Sequence, residues 1–204
     1  MIHPKTELKF ISKEVGHGIV ATEFIPAGTI TWVLDILDRE ITPKEFEAMD
    51  INYQEIVDTY TYRNRNGNRV LLWDNGRFVN HSFNSNCLIT AYNFEIAIRD
   101  IEAGEQLTDD YGYLNIIEPF SAADEGTDRK VVYPDDNLRY HEIWDKKLLN
   151  VFDKIPQLNQ PLKKFMSNEL WEDIEAIANK KKKMDSILKN YYADEKVIPI
   201  LNLK

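Results

Sequence analysis

The stretch RFVNHSFNSN, residues 77–86, decides how this sequence is read. It begins as a strand does, with Arg77, Phe78 and Val79. It then places Asn80, His81 and Ser82 in a row, one more apolar residue at Phe83, and Asn84, Ser85 and Asn86. Both flanks are apolar, VLLW at 70–73 and CLITAY at 87–92. A buried polar group left unpaired costs free energy. The polar triplet therefore demands partners, either from a distant part of the chain or from a ligand.

The chain around it has two textures. Seven of the eight glycines fall before residue 119, between short apolar runs, as a β-rich region requires. Strands are expected near Leu8–Ser12, Gly18–Glu23, Ile30–Asp35, Thr59–Arg63, Val70–Trp73, Leu88–Tyr92 and Glu95–Ile98. TPKEFEAM predicts a brief helix, with Thr42 as N-cap, Pro43 at the first position and Glu45 three residues after the cap. From Pro134 the apolar period lengthens to three or four. One helix is expected after Asp135 or Asp136, with Leu138, Trp144, Leu148 and Ile155 on its apolar face. A second is expected from Asn168 as N-cap to about Tyr191, and Pro156 and Pro161 separate the two. This divides the chain into a β-rich unit at 1–118, a connector at 119–133 and a helical extension at 134–204.

The 204 residues suit one domain with an appendage, and 43% hydrophobic residues suffice for a packed core. No apolar run approaches a membrane span, and MIHPKTELKF lacks the pattern of a signal peptide. Cytoplasm is the default location, with a nuclear or host-targeted role as the alternative. The single Cys87 allows neither an internal disulfide nor a cysteine-rich zinc site. Residues 1–118 carry 10 Lys and Arg against 19 Asp and Glu, whereas residues 119–204 carry 15 of each. A cationic partner for the first unit is expected, beside the plainer reading of solvated surface charge. The run Lys180–Lys183, if helical, points in four directions and makes no cationic face, with Lys181 laying its stem on the apolar side. Direct nucleic-acid binding is not expected.

Two further segments belong with the opening stretch. EVGHGIVAT places Gly16-His17-Gly18 before a strand; such a pair is often only a turn, but it also admits a ligand close to the main chain. AGEQLTDDYGY, residues 103–113, sets Tyr111 beside Gly112. In this order and spacing the three resemble the SET-domain protein-lysine methyltransferases. That family has a Gly-x-Gly segment, then Arg-Phe-x-Asn-His-Ser with Asn shortly after, then Gly-Glu-x-Leu-Thr-x-Asp-Tyr-Gly. Here these are Gly16–Gly18, Arg77–Ser82 with Asn86, and Gly104–Gly112. The resemblance covers about residues 8–118.

It implies an α+β, β-clip fold of several small sheets with a pseudo-knot, followed here by C-terminal helices. It also implies S-adenosylmethionine as methyl donor, leaving S-adenosylhomocysteine, and a lysine side chain of a basic protein or peptide as acceptor. Cofactor and substrate would enter from opposite faces. By motif, the main chain of Gly16, His17 and Gly18, the side chain of Asn80 and the main chain of His81 would meet the cofactor. Arg77 would contact the cofactor or the fold around it. Tyr111 would be the catalytic tyrosine beside the transferring methyl, and Phe120 an aromatic cover over the cofactor. Tyr60, Tyr62, Asp109 and Tyr113 are candidates for the lysine channel, with cross-strand packing the competing reading for Tyr60 and Tyr62.

The sequence departs from the pattern at three places. Many relatives have Cys after Asn-His-Ser and a Cys-rich segment past Asp-Tyr-Gly, which bind zinc; here stand Phe83 and a cysteine-free NIIEPFSAADEGTDRK, so no metal site is expected. Ser85 replaces a usual Pro. Asp109 replaces a usual Phe, which either takes this position out of the lysine-channel lining or sets a carboxylate near the substrate amine. Without zinc, the connector and the two helices are the expected closure of the channel. The alternative to an enzyme is a non-catalytic interaction module on the same fold.

Overall fold

A computed structural model describes residues 1–194. The elements of the first unit are β1 (Thr6–Ser12), β2 (Gly16–Ala21), β3 (Ile30–Val33), β4 (Arg39–Ile41), α1 (Pro43–Glu47), α2 (Ile51–Tyr60), β5 (Thr61–Arg63), β6 (Arg69–Leu71), β7 (Asn80–His81), β8 (Cys87–Ile89), β9 (Phe94–Ala97) and β10 (Thr108–Asp109). There follow β11 (Phe120–Ser121), β12 (Val131–Val132), α3 (Asp136–Phe152) and α4 (Asn168–Ala178). The strands form small separate sheets, ordered β1-β2, β3-β9-β8, β4-β6-β5, β7-β10 and β11-β12. All pair antiparallel except β7 and β10, which run parallel with Asn80 opposite Thr108 and Asp109 opposite His81.

That parallel pair answers the polar triplet. The last motif passes beside the Asn-His segment, and the two are stitched by the side chain of Asn86, which is 1% exposed. Asn86 Nδ2 donates to Gln106 O at 2.6 Å, its Oδ1 accepts from Thr108 N at 2.9 Å, and Ser82 N donates to Asp109 O at 2.9 Å. The segment is thus buried because its partners come from residues 105–109. Its beginning is not a strand: Asn75–Phe78 form a 3-10 turn capped by Asp74, whose carboxylate accepts from Gly76 N at 2.9 Å.

The capping box of α1 is formed as its sequence predicts, with Glu45 N donating to Thr42 Oγ1 and Thr42 N to Glu45 Oε2. α2 goes unread in the sequence. It starts at Asp50, which caps Asn52 N at 3.0 Å, and buries only Val57. With so little burial it shows no apolar stripe. It also moves Tyr60 from the expected strand to a helix end.

α3 begins after Asp135 as expected, although Asp135 makes no capping hydrogen bond. The second helix is shorter than expected. Ser167, not Asn168, is its N-cap, accepting from Leu170 N at 3.1 Å, and the helix stops at Ala178. Lys180 adopts a left-handed φ of 58°, so the lysine run lies beyond the helix. Lys180–Lys183 are all exposed, and Lys181 does not reach the apolar face. The part of the expected extension at 195–204 lies outside the described residues.

The helical extension shares a core with the sheets rather than packing alone. Trp32, Leu88, Phe94 and Ile96 of β3, β8 and β9 cluster with Trp144, Leu148, Val151 and Phe152 of α3 and with Ile174 and Ile177 of α4. A second, smaller cluster of Ile19, Ile25, Val79, Ala97 and Leu107 lies beneath the crossing. Buried Gln160 ties the two regions, accepting from Ile30 N at 2.8 Å and donating to Gly28 O at 2.9 Å. Gly28 admits this approach: a Cβ there would meet Lys154 Cβ at 2.7 Å.

Candidate active site

The crossing presents two faces that meet at Tyr111. On one lie Gly16–Gly18, Asn80, His81 and Phe120. Gly18 sits against the crossing so closely that a Cβ would meet Asn80 Nδ2 and Gln106 Oε1, each at 2.6 Å. Asn80 Nδ2 donates to His17 O at 3.1 Å and to Gln106 Oε1 at 3.2 Å, which pins the glycine strand to the last motif. The His17 ring is exposed and edges onto Phe10 and Phe78. His81 Nδ1 accepts from Tyr111 N at 3.1 Å. Burial lowers its pKa, so the ring is neutral and carries its proton on Nε2. That Nε2 is buried without a protein partner among the described residues. Phe120, on β11, sets its ring 5.5 Å from His81 and 6.2 Å from Tyr111.

The other face is a cleft of about 510 Å³. Tyr60 and Tyr62 line it, together with Trp32, Val79, Glu95, Asp109, Tyr111 and the segment 114–118. Both tyrosines also pack, Tyr60 on Phe78 at 5.5 Å and Tyr62 on Trp32 at 6.2 Å, so the packing role and the wall role coincide. Tyr113 does not line this cleft. It is 1% exposed and stands edge-on to Trp144 at 5.5 Å, because α3 covers that side of the turn. Arg77 lines the cleft rather than the glycine face. Its Nη1 donates to the carbonyls of Leu72, Trp73 and Asp74, so it braces the 3-10 turn.

Tyr111 belongs to both faces. Its hydroxyl donates to Val79 O at 2.6 Å, and burial raises its pKa, so it stays a phenol. With its one proton committed to Val79, the oxygen can only accept toward the cleft.

Two buried carboxylates share the cleft, Glu95 at 9% and Asp109 at 5% exposure. Burial pushes Asp109 up to about 6, and burial together with Asp109 raises Glu95 well above the carboxylate range. Asp109 was legible in the motif. Glu95 was not, because it alternates into an apolar strand and nothing in its neighbours marks it.

The connector supplies a clasp that sequence reasoning also missed. Arg129 bonds Asp110 of the last motif and, at 2.5 Å, Asp136 of α3. Its guanidinium lies over Phe83 at 4.6 Å and over Tyr140 at 4.4 Å. Phe83 thus stacks a cation, tying the opening stretch to the connector. Glu125 of the same connector accepts from Ser82 Oγ at 2.9 Å. Neither α3 nor α4 lines the cleft, contrary to the expected helical closure; 114–118 forms that wall, where Arg63 Nε bonds Asn115 O at 2.6 Å. Among the described residues, no group of three or more His, Cys, Asp or Glu is placed to hold a metal.

Residues 16–112 match the SET domain family model, from the first glycine of the Gly-x-Gly pair to the glycine after Tyr111. Over this segment the chain is similar to SET domains, a family that is typically methyltransferase and generally uses S-adenosylmethionine. A solved structure from Plasmodium falciparum, provisionally assigned as a histone methyltransferase, is similar at 23% identity and a TM-score of 0.40. The similarity covers 54% of this chain and 95% of that one. No curated protein matches the sequence.

Proposed function

We propose that this protein transfers a methyl group from S-adenosylmethionine to the side-chain amine of lysine in a protein substrate. The observation that carries the reading is the position of Tyr111, shared by the glycine face and the cleft, with its hydroxyl held on Val79 O at 2.6 Å. The glycine face fits such a cofactor. It offers main chain that Gly16 leaves open, the unpartnered His81 Nε2–H, and the flat ring of Phe120. Bound there, S-adenosylmethionine supplies an electrophilic methyl on a positive sulfonium.

The cleft fits the acceptor. Aromatic walls at Trp32, Tyr60 and Tyr62 suit an aliphatic stem and its cationic head. Burial of the amine beside a like charge lowers its pKa toward the neutral form that attack requires. Tyr111 Oη, an acceptor only, takes one amine N–H and turns the nitrogen lone pair toward the glycine face.

Labelled methyl transfer to a pooled library of lysine peptides tests this, with cofactor binding followed by calorimetry. Tyr111→Phe is expected to keep cofactor binding and to lose on the order of 10²-fold or more in rate. Full activity of that variant would remove the role given to Tyr111. A second reading, a non-catalytic binding module, is favoured by the two carboxylates in the cleft, which suit retention of a cation as well as its modification. Cofactor binding without transfer to any peptide would select it.

A further inference from the structure

Glu95 and Asp109 stand out because, among the described residues, no cation pairs with them. They come from different sheets, β9 and β10, and both line the cleft that holds Tyr111. Asp109 is 5% exposed and its Oδ1 has no hydrogen-bond partner among the described residues. The cations of the cleft are engaged elsewhere. Arg63 pairs with Asp194, Arg69 with Asp58, and Arg77 with main-chain carbonyls. Among the described residues no salt bridge reaches either carboxylate. The groups facing the pair are Tyr111 and Tyr113 of the turn after β10, Asp110, Tyr62 of β5 and Cys87 of β8, none of them cationic. The Met1 ammonium lowers Glu95 only as a minor influence and is itself paired with Asp35 at 3.0 Å. A buried acidic pair without a cation costs stability, so its presence in an open cleft asks for a cation from outside.

Resting on the lysine methyl-transfer reading above, we propose that the Glu95–Asp109 pair is the proton acceptor for the substrate lysine. The lysine arrives as an ammonium. One N–H bond breaks and one carboxyl O–H bond forms, leaving a neutral amine held by Tyr111 Oη and a pair that carries one more proton. The proton returns to solvent through the open side of the cleft. A carboxylate is ordinarily too weak a base for this transfer. Here the ammonium is made more acidic by its apolar walls and the pair more basic by burial, so the two approach each other.

The test is single-turnover methyl transfer from labelled S-adenosylmethionine to a pooled lysine-peptide library, followed between about pH 5.5 and 9.5. Asp109→Asn and Glu95→Gln are compared with wild type, with folding checked by circular dichroism and cofactor binding by calorimetry. Wild-type rate is expected to fall below about pH 6, where Asp109 is half protonated. Asp109→Asn is expected to lose about 10²-fold at neutral pH, and to recover most of it near pH 9.5, where far more free amine is supplied by solution. A deficit that stays constant across pH, or no deficit, would overturn the proposal. Wild type that binds cofactor but transfers nothing at any pH would instead remove the parent reading. Carbon-13 titration of the aspartate carboxyls gives an answer independent of turnover. One midpoint near 6 is expected, absent in Asp109→Asn, and its absence from wild type would also overturn the assignment.

Discussion

Gly18 has no room for a side chain, and the reason is tertiary. Its Cα faces Asn80 and Gln106, and a Cβ would come within 2.6 Å of both. Gly18→Ala should push the glycine strand off the crossing and break the Asn80–His17 bond. Calorimetry is expected to show loss of cofactor binding on the order of 10-fold or more, about 1.4 kcal/mol. Gly16→Ala has open space around it but a φ of +79°, so it should cost only about 1 kcal/mol of stability. Thermal melts of the two variants separate contact from conformation. At this scale the motif spacing was legible, and the structure brings Asn80, His81, Gly18 and Tyr111 together at the crossing. Arg77 and Tyr113 were legible as important but not in their roles, since bracing carbonyls and packing under Trp144 depend on neighbours far along the chain.

Among the elements, the β11–β12 connector holds more than a linker would. Through Arg129 it joins Asp110, 3% exposed at its side chain, to Asp136 at 1%. Burial keeps the Asp136 pKa raised despite the guanidinium beside it, a sign that these charges are held at a desolvation cost. Arg129→Met should therefore strand two buried carboxylates and cost about 3–5 kcal/mol, whereas adding Asp110→Asn and Asp136→Asn should restore much of the loss. Urea denaturation of the single and triple variants checks this. Arg129→Lys should rescue little, because an ammonium reaches one carboxylate and gives up the stacked, forked geometry over Phe83 and Tyr140. The connector's sequence shows an arginine among acidic residues and nothing more, so this role was hidden until Asp110 and Asp136 were brought together. The reverse holds for α1, whose capping box is local and was legible in full.

For the whole molecule, two buried systems give opposite pH slopes to stability. Asp109, raised to about 6, and Glu95, raised by burial and by Asp109, bind protons more tightly when folded; their contribution is full below about pH 4 and is lost as pH rises through the folded values. His3, lowered to about 4 mainly by burial, is neutral when folded and charges more readily when unfolded, so stability falls as pH drops from about 6.5 to 4. Over about pH 4.5–6 the two carboxylates outweigh the one imidazole, so these groups together leave the melting temperature falling as pH rises. The Glu95→Gln/Asp109→Asn double variant should melt higher than wild type at pH 8 by several degrees, at about 2–4 °C per kcal/mol. Its melting temperature should also rise with pH between 4.5 and 6.5, exposing the His3 slope. Melts across pH decide it, and a double variant less stable than wild type at pH 8 would refute the assignment of strain to this pair.

What the sequence by itself determined is the order of three motifs, the polar crossing at Asn80–Asn86, the glycines at 16 and 18 and the capped start of α1. These depend on residue type at short spacing, where turn geometry and caps act within a few residues. Only the tertiary structure decided that Glu95 stands beside Asp109, that Arg129 clasps Asp110 to Asp136, that α3 and α4 join the core of the sheets without walling the cleft, and that the lysine run leaves its helix. Each of these depends on burial against residues distant in the chain. Burial sets the cost of a charge and the worth of a partner, and neither is visible until the chain has folded back on itself.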